Sequence, residues 1–462
     1  MFFFRRNKTK PLIVPRNEHT LSRRDIDSDA LKVLYRLSSL SHEAYLVGGS
    51  VRDLLLGRKP KDFDVGTDAR PNEIKRIFRN CFLVGRRFRL AHIVFGKKVI
   101  ETATFRKAPD ANAVQDEHGL YQYEDNTFGT PCEDAHRRDF TVNGLFYDIR
   151  TFSIIDYVGG LKDLKTKTIR SIGDPAIRFR EDPVRMMRAV RFAAKLDFNI
   201  ATSDWKAMKR YAHELPNASL SRLAEEILRL FVKGATCRSI QLAYEGGLIE
   251  ALLPSLADWL NASNVHQQAT WETLEKLDAL ATKHDISPAI AFTALYWAMI
   301  QAQLPEKPKG QSRRVNERYQ RRLAAQEVLT PVVKHYRLPR AVWMTAVDVV
   351  ELAPRFLNPP QKGVRRDIRF ATYGVFKEAL QWGLLMSKLE PEKKWHLEAW
   401  RKFALQCERE KHGDPLTTDE ELEAMLEGQP NAHSRKSRRR RKSRRRKHKQ
   451  HETLSIKAEE LS

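Results

Sequence analysis

From Asp29 to Leu40, the residues Leu31, Leu34 and Leu37 recur at helical spacing, and this period predicts a helix burying one stripe. Three short elements follow: an apolar strand at Ala44–Val47, an amphipathic helix at Ser50–Leu56, and a strand at Asp62–Val65. Pro71, a residue suited to the first helical position, opens a helix to about Asn80. Two β-rich runs, Ala91–Phe95 and Lys98–Phe105, are joined by Gly96-Lys97 in the manner of a hairpin. The polar segment Ala108 to Thr130 reads as a mobile loop. After Leu164 helical patterns take over, at Pro183–Leu196, Ser221–Val232, Cys237–Gly246, Pro288–Ala302, Glu317–His335, Arg340–Leu352 and Lys393–Cys407. Strands therefore dominate only about the first 150 residues, and the chain reads as α+β.

The longest apolar stretch, Pro288 to Ile300, is too short to span a bilayer and reads as a buried helix. Met1 to Phe4 is too brief for a signal-peptide core, so no membrane insertion and a cytoplasmic location are expected. Four scattered cysteines, Cys81, Cys132, Cys237 and Cys407, lack zinc-site spacing and suit buried thiols in a reducing compartment. Length, 462 residues, allows roughly three domains. Lys and Arg number 82 against 58 acidic residues, a net charge of +24 that favours a polyanionic partner. Half of that charge lies in Arg435 to Lys449, where twelve Lys or Arg occur with no acid. Such a run cannot bury a core; it is expected to be disordered alone and to bind RNA through phosphate neutralisation.

The chemistry concentrates in LVGGSVRDLLLGRKPKDFDVGT. On a strand, Asp62 and Asp64 would point to one face, with Phe63 and Val65 opposite. Two adjacent carboxylates repel unless a cation lies between them, and hard oxygen donors suit Mg²⁺ shared with substrate phosphates. Gly48 and Gly49 form a turn into a helix, where phosphate oxygens approach backbone N–H groups. Arg52, in the first helical turn, is placed to reach a triphosphate. Phosphate cradle and metal pair together indicate nucleotidyl transfer, although either alone is commonly an ordinary turn or a solvated strand end.

Three further constellations bear on the same reading. Glu101 lies mid-strand in VIETATF, as either a solvent carboxylate or a third acid orienting the metals or the attacking hydroxyl. In RRDFTVNG, Arg138 is suited to phosphate, Asp139 to an arginine or a ribose, and Thr141 with Asn143 to a polar pocket. In EDPVRMMRAVRFAAKL, Asp182 is expected to cap a helix that presents Arg185, Arg188 and Arg191 on one face. Asp182 and Arg185 would read a donor and an acceptor on the base edge, an order shared by adenine and cytosine. His284-Asp285 has no second histidine cluster to support a metal site and reads as loop.

These segments, with DYVGGLKDLKTKTIRSIGDP, make the sequence resemble the class II nucleotidyltransferases, the bacterial poly(A) polymerases and CCA-adding enzymes. The resemblance runs nearly continuously over the first 200 residues and loosens after residue 250. CFLVGRRFRLAHIVFG, Cys81 to Gly96, and the Arg-rich C-terminal run resemble the poly(A) polymerase branch. Gly144 departs from relatives, which more often carry Ala or Ser there. The resemblance implies an arm (1–28), a nucleotidyltransferase head with a mixed sheet (29–165), a helical neck (166–235), a helical RNA-binding body (236–412) and a basic tail (413–462). It implies that Asp62 and Asp64 bind catalytic Mg²⁺, that Asp139 belongs to the catalytic set, and that Gly48, Gly49 and Arg52 hold the triphosphate of ATP; a mechanism with two Mg²⁺ is expected, with Glu101 ordering the attacking hydroxyl. Asp182 and Arg185 would read the base, with Arg138, Asn143 and Arg188 completing the pocket. The implied reaction is template-independent adenylate addition to RNA 3′ ends, with RNA-decay proteins as partners. The alternatives are CCA addition to tRNA and a non-catalytic RNA-binding protein.

Overall fold

A computed structural model of the chain describes residues 10–85, 89–107, 114–115, 121–122, 128–304 and 314–412. The chain divides into two compact units, residues 1–267 and 268–462. The basic run Arg435 to Lys449 and most of the segment from Ala108 to Thr130 lie outside the described residues.

The first unit is built on one mixed sheet. Its strands are β1 (Leu12–Val14), β2 (Ala44–Val47), β3 (Asp64–Thr67), β4 (Cys81–Val84), β5 (Leu90–Phe95) and β6 (Lys98–Thr104). A two-residue ladder, β7 (Val114–Gln115) with β8 (Tyr121–Gln122), stands apart within the segment read as loop. β9 (Leu145–Asp148) and β10 (Ser153–Asp156) complete the eight-stranded order β1-β10-β9-β2-β3-β6-β5-β4. Only β3 and β6 run parallel; the other neighbours are antiparallel.

Side chains alternate across this sheet, so its two faces differ. One face presents Leu46, Val65, Ile93 and Ile100, all buried. Helices α1 (Ser28–Ser39) and α3 (Pro71–Ile77) pack against strands of this layer. Asp27 caps α1 by accepting from the Asp29 and Ala30 N–H groups, which fixes where the Leu31-to-Leu37 stripe begins. The opposite face is covered only in part. Over β2, β9 and β10 a cluster of Tyr45, Val47, Phe105, Phe146 and Ile155 closes with Ala135 of α4 (Pro131–Arg137). Over β4, β5 and β6 the same face leaves Phe82, Val84 and Val99 exposed.

Several predicted boundaries shift: the helix from Pro71 ends at Ile77, and the last predicted helix spans Leu397–His412. The second strand begins at Asp64 rather than Asp62, because the ladder with β2 runs from Asp64 opposite Val47 to Thr67 opposite Ala44. Asp62 therefore precedes the strand and is exposed. The arm before Asp29 is not wholly irregular, since Leu12–Val14 pairs with β10 at the sheet edge.

Helices follow the sheet: α2 (Gly49–Leu55) after β2, then α5 (Gly160–Lys165), α6 (Pro175–Glu181), α7 (Val184–Leu196), α8 (Thr202–Tyr211) and α9 (Leu220–Arg229). Two-residue strands β11 (Thr168–Ile169) and β12 (Asn199–Ile200) pair in parallel beside α7. α10 (Thr236–Glu245), α11 (Leu248–Leu252) and α12 (Pro254–Ala262) close the unit, and the division falls within α13 (Asn264–Ala281).

The second unit is helical among its described residues. Its centre is α14 (Pro288–Ala302), where Ala289 to Ala298 are buried on every side, as the apolar run predicts. α15 (Arg314–Tyr336) and α16 (Arg340–Leu352) pack on α14 and on each other. α17 (Arg365–Ala371), α18 (Phe376–Leu389) and α19 (Leu397–His412) gather Phe356, Phe370, Phe376 and Trp400 into one aromatic cluster. His284-Asp285 lies in the loop before α14. Cys81, Cys237 and Cys407 are buried, and Cys132 is half-buried. Among the described residues no helix is long and apolar enough to cross a membrane.

Candidate active site

The carboxylates meet at the border between the covered and open halves of the sheet face. Asp64 opens β3 and lies directly beside Glu101 of β6, so their side chains share one face about 4.8 Å apart in backbone spacing. Burial pushes the Asp64 carboxyl up to about 6, with Glu101 and Asp62 adding repulsion and Arg138 opposing it. That imbalance is what a cation would relieve: Asp64 and Glu101 stand side by side, Asp62 adds repulsion, and Arg138 alone opposes it. Among the described residues no group of three or more His, Cys, Asp or Glu side chains is placed to hold a metal ion. An open carboxylate set of this kind fits Mg²⁺, which keeps water and substrate phosphate among its ligands. His92 of β5 flanks Glu101 on its other side, with Nε2 3.8 Å from Oε1.

Above β2 the chain turns through Gly48 and Gly49. Gly48 has φ +71°, and a Cβ there would come within 2.8 Å of Arg138 Nη1. Only glycine allows both the turn and the close approach of that guanidinium. The Gly48 N–H donates to the Leu145 carbonyl, tying the turn to β9. Arg138 is held from below by Asp134, which accepts from its Nε at 3.1 Å and Nη2 at 2.9 Å. Burial alone would raise the Asp134 carboxyl, but Arg138 and Arg137 outweigh it and hold the group below the usual range.

Four of the expected residues form one continuous hydrogen-bond chain. Arg188 of α7 donates through Nε to Asp139 Oδ2 at 2.9 Å, and again through Nη2. Asp139 Oδ1 accepts from Asn143 Nδ2 at 3.0 Å and from the Phe140 N–H at 2.8 Å. Asn143 Oδ1 accepts from Arg52 Nη1, and Arg52 Nε donates to Asp53 at 2.8 Å. Burial opposes ionisation of Asp139, yet Arg188, Asn143 and the Phe140 N–H together keep its carboxyl below the usual range. Arg52 is buried and stands behind the glycine turn, its Nη2 3.4 Å from where a Gly49 Cβ would lie. Phe192 anchors the array: the guanidiniums of Arg52, Arg188 and Arg191 lie 5.3, 5.7 and 4.6 Å from its ring centre.

At the corner between α6 and α7, Asp182 does not cap α7 with its side chain. It ends α6, and its Oδ2 accepts instead from Arg222 of α9 at 2.7 Å. Asp182 Oδ1 is buried and accepts no hydrogen bond among the described residues. An orphaned buried carboxylate oxygen is costly unless a ligand donor meets it. Arg185 lies 3.9 Å from Asp182 and donates to Glu181 at 3.0 Å and to the Arg178 carbonyl at 2.8 Å. Arg178 in turn donates to the Arg137 and Arg138 carbonyls, locking this corner to the end of α4.

Sequence reading did not single out Asp134, Glu181, Arg222 or Phe192. Asp134 with Arg138 and Glu181 with Arg185 are pairs four residues apart, whereas Arg222 and Phe192 reach Asp182 and Arg52 from other elements. Arg222 stands 40 positions from Asp182, so no spacing rule connects them.

Comparison with known proteins places the chain in a family. A family model described as "Poly A polymerase head domain" matches residues 44–170, and one described as "Probable RNA and SrmB- binding site of polymerase A" matches 197–260. Poly(A) polymerase I of Escherichia coli is 36% identical over 422 residues, covering 88% of this chain and 89% of that one. The chain belongs to the bacterial poly(A) polymerase family. A CCA-adding enzyme of Bacillus pumilus is 37% identical over 225 residues, 48% of this chain and 54% of its own length. The crystal structure of the Bacillus stearothermophilus CCA-adding enzyme in complex with CTP superposes with a TM-score of 0.59 at 26% identity, over 86% of this chain and 91% of that one. Poly(A) polymerases and CCA-adding enzymes thus share this architecture, and the chain is a nucleotidyltransferase with a nucleotide as substrate.

Proposed function

We propose that the chain is a polynucleotide adenylyltransferase, transferring AMP from ATP to RNA 3′ ends without a template. The observation that carries this is Asp64 beside Glu101 on one sheet face, with Arg138 set against the adjacent glycine turn. The RNA 3′-hydroxyl attacks the α-phosphorus; a new O–P bond forms, the bond to the β-phosphate oxygen breaks, and pyrophosphate leaves with the electron pair. Asp62 and Asp64 would hold two Mg²⁺, which when bound stabilise charge on the attacking and leaving oxygens. Glu101 faces the same space and orders the attacking hydroxyl.

Gly48 and Gly49 let the triphosphate approach the backbone, and Arg138 faces it across the turn. Arg52, Asn143, Asp139 and Arg188 act as positioning residues, since their polar atoms are already joined to one another. Asp182 and Arg185 read the adenine edge, the orphaned Oδ1 accepting from the N6 amine. Cytosine offers the same donor order, so this pair leaves CTP open. The relative that spans most of the chain is a poly(A) polymerase, whereas the CCA-adding enzyme matches about half; this favours ATP.

A cytoplasmic location belongs to this reading, as does contact with RNA-decay proteins, which rests on the resemblance alone. Incubation with a generic RNA and each nucleoside triphosphate singly is the test. Long extension with ATP only is expected; a short CCA addition confined to tRNA would assign the rival activity. Asp62→Ala and Asp64→Ala should each abolish AMP incorporation while RNA binding persists.

A further inference from the structure

The open half of the sheet face continues the catalytic row outward. Asp64 lies opposite Glu101, Glu101 opposite His92, and His92 opposite Phe82 of the edge strand β4. Residues paired across neighbouring strands share a face, so these four side chains form one row at about 4.8 Å per strand. Phe82 is 63% exposed at the end of that row. Val84 and Val99, on the same face, are 46% and 41% exposed. The intervening positions on the other face, Cys81, Ile93 and Ile100, are buried. The exposure is therefore one-sided: a sheet surface bearing an aromatic ring, an imidazole and aliphatic groups, beginning where the chemistry ends.

We propose that this face is a stacking platform for the last bases of the single-stranded RNA acceptor, with Phe82 and His92 as its stacking side chains. The inference rests on the adenylyltransferase reading above. Three observations point to RNA rather than to a protein or a second copy of this chain. The platform is continuous with the carboxylates that must receive the 3′-hydroxyl, so whatever lies on it is joined to the reacting end. Phe82 stands three strands from Asp64, about 15 Å, within the reach of the last few nucleotides. Exposed Arg89 and Lys97, at the two ends of β5, add positive charge where phosphates would pass. Aromatic side chains on an open sheet bind bases of any sequence, because every base has a π face. A template-independent enzyme needs that tolerance: each added adenylate becomes the next acceptor base.

The test uses the full chain with Phe82→Ala, His92→Ala and Phe82→Trp, and a short oligoadenylate primer. Phe82→Ala should raise the primer KM by about 5- to 150-fold, the range expected for losing one base stack, with ATP affinity and kcat at saturating primer unchanged. Phe82→Trp should restore the wild-type value, and His92→Ala should act in the same direction as Phe82→Ala. A primer with a photoreactive penultimate base should crosslink to Phe82 or His92 in the inactive Asp64→Asn variant, independently of turnover. Primer KM within about twofold of wild type for both alanine variants, or crosslinks mapping elsewhere, overturns the platform. If wild-type protein transfers no AMP yet crosslinks at Phe82 or His92, the adenylyltransferase reading fails while the platform stands.

Discussion

Asp64 is the residue at which function and stability pull in opposite directions. Its carboxyl is pushed up to about 6 in the folded chain, from 3.8, by burial and by Glu101 and Asp62. A raised value means the folded chain holds that proton more tightly than the unfolded chain does. The stability this contributes is full below about pH 4 and is lost as pH rises towards 6, beyond which the ionised group is a net cost without a cation. Metal-free Asp64→Asn should therefore be more stable than wild type at pH 7.5, by an amount of order 1–3 kcal/mol, while losing AMP transfer. Denaturant titration at pH 7.5 and pH 4 checks both halves: the gain should vanish at pH 4, and an equal gain at both values would disprove the electrostatic cause. The same proton competes with metal. Mn²⁺ affinity of the wild type, followed by calorimetry without nucleotide, should fall roughly tenfold per pH unit below 6. Asp139 contrasts with this, because Arg188 and Asn143 hold it ionised. Removing it should disorder the arginine chain and raise the ATP KM without the pH signature of Asp64.

At the level of elements, the turn from β2 into α2 sets the site. Gly48→Ala places a Cβ at φ +71° against Arg138 Nη1, so it should cost roughly 1–3 kcal/mol and displace Arg138 from Asp134. AMP transfer should drop at least about tenfold. Gly57→Ala is the control: it shares a positive φ, but a Cβ there meets nothing within 4 Å, so activity should persist. Equal losses in the two variants would mean that backbone strain matters and the arginine contact does not. This turn was legible in the sequence because glycine, apolar strand and amphipathic helix each carry a local signal. The buried helix Pro288–Ala302 was legible for the same reason, being apolar throughout. β1 and β4 were not: each is a short edge strand whose place is set by backbone pairing with a distant segment. Asp62 was placed on a strand because an aspartate pair two apart fits one, yet the ladder with β2 starts only at Asp64. The Asp182–Arg222 pair and the packing of three guanidiniums around Phe192 arise from tertiary folding alone, and no periodicity announces them.

At the scale of the whole molecule, charge is uneven. The net +24 owes half its value to the twelve basic residues between Arg435 and Lys449, while Arg52, Arg138 and Arg188 at the site are each paired with an acid. The tail's charge can therefore be removed without touching the residues proposed to hold the nucleotide. Each phosphate neutralised by a lysine or arginine on single-stranded nucleic acid contributes a slope of about −0.7 to the dependence of log affinity on log salt. Replacing the Lys and Arg residues of 435–449 by Gln should therefore weaken binding to a long unstructured RNA and flatten that slope by several units. It should leave ATP affinity and kcat at saturating primer as they were. The effect should grow with RNA length, because each added phosphate is one more that the tail's charges can neutralise. Measuring the salt slope for a short and a long RNA, in both proteins, separates the contributions. A slope on the long RNA that the substitution leaves unchanged would remove the tail from RNA binding and assign the whole polyanion affinity to the folded units.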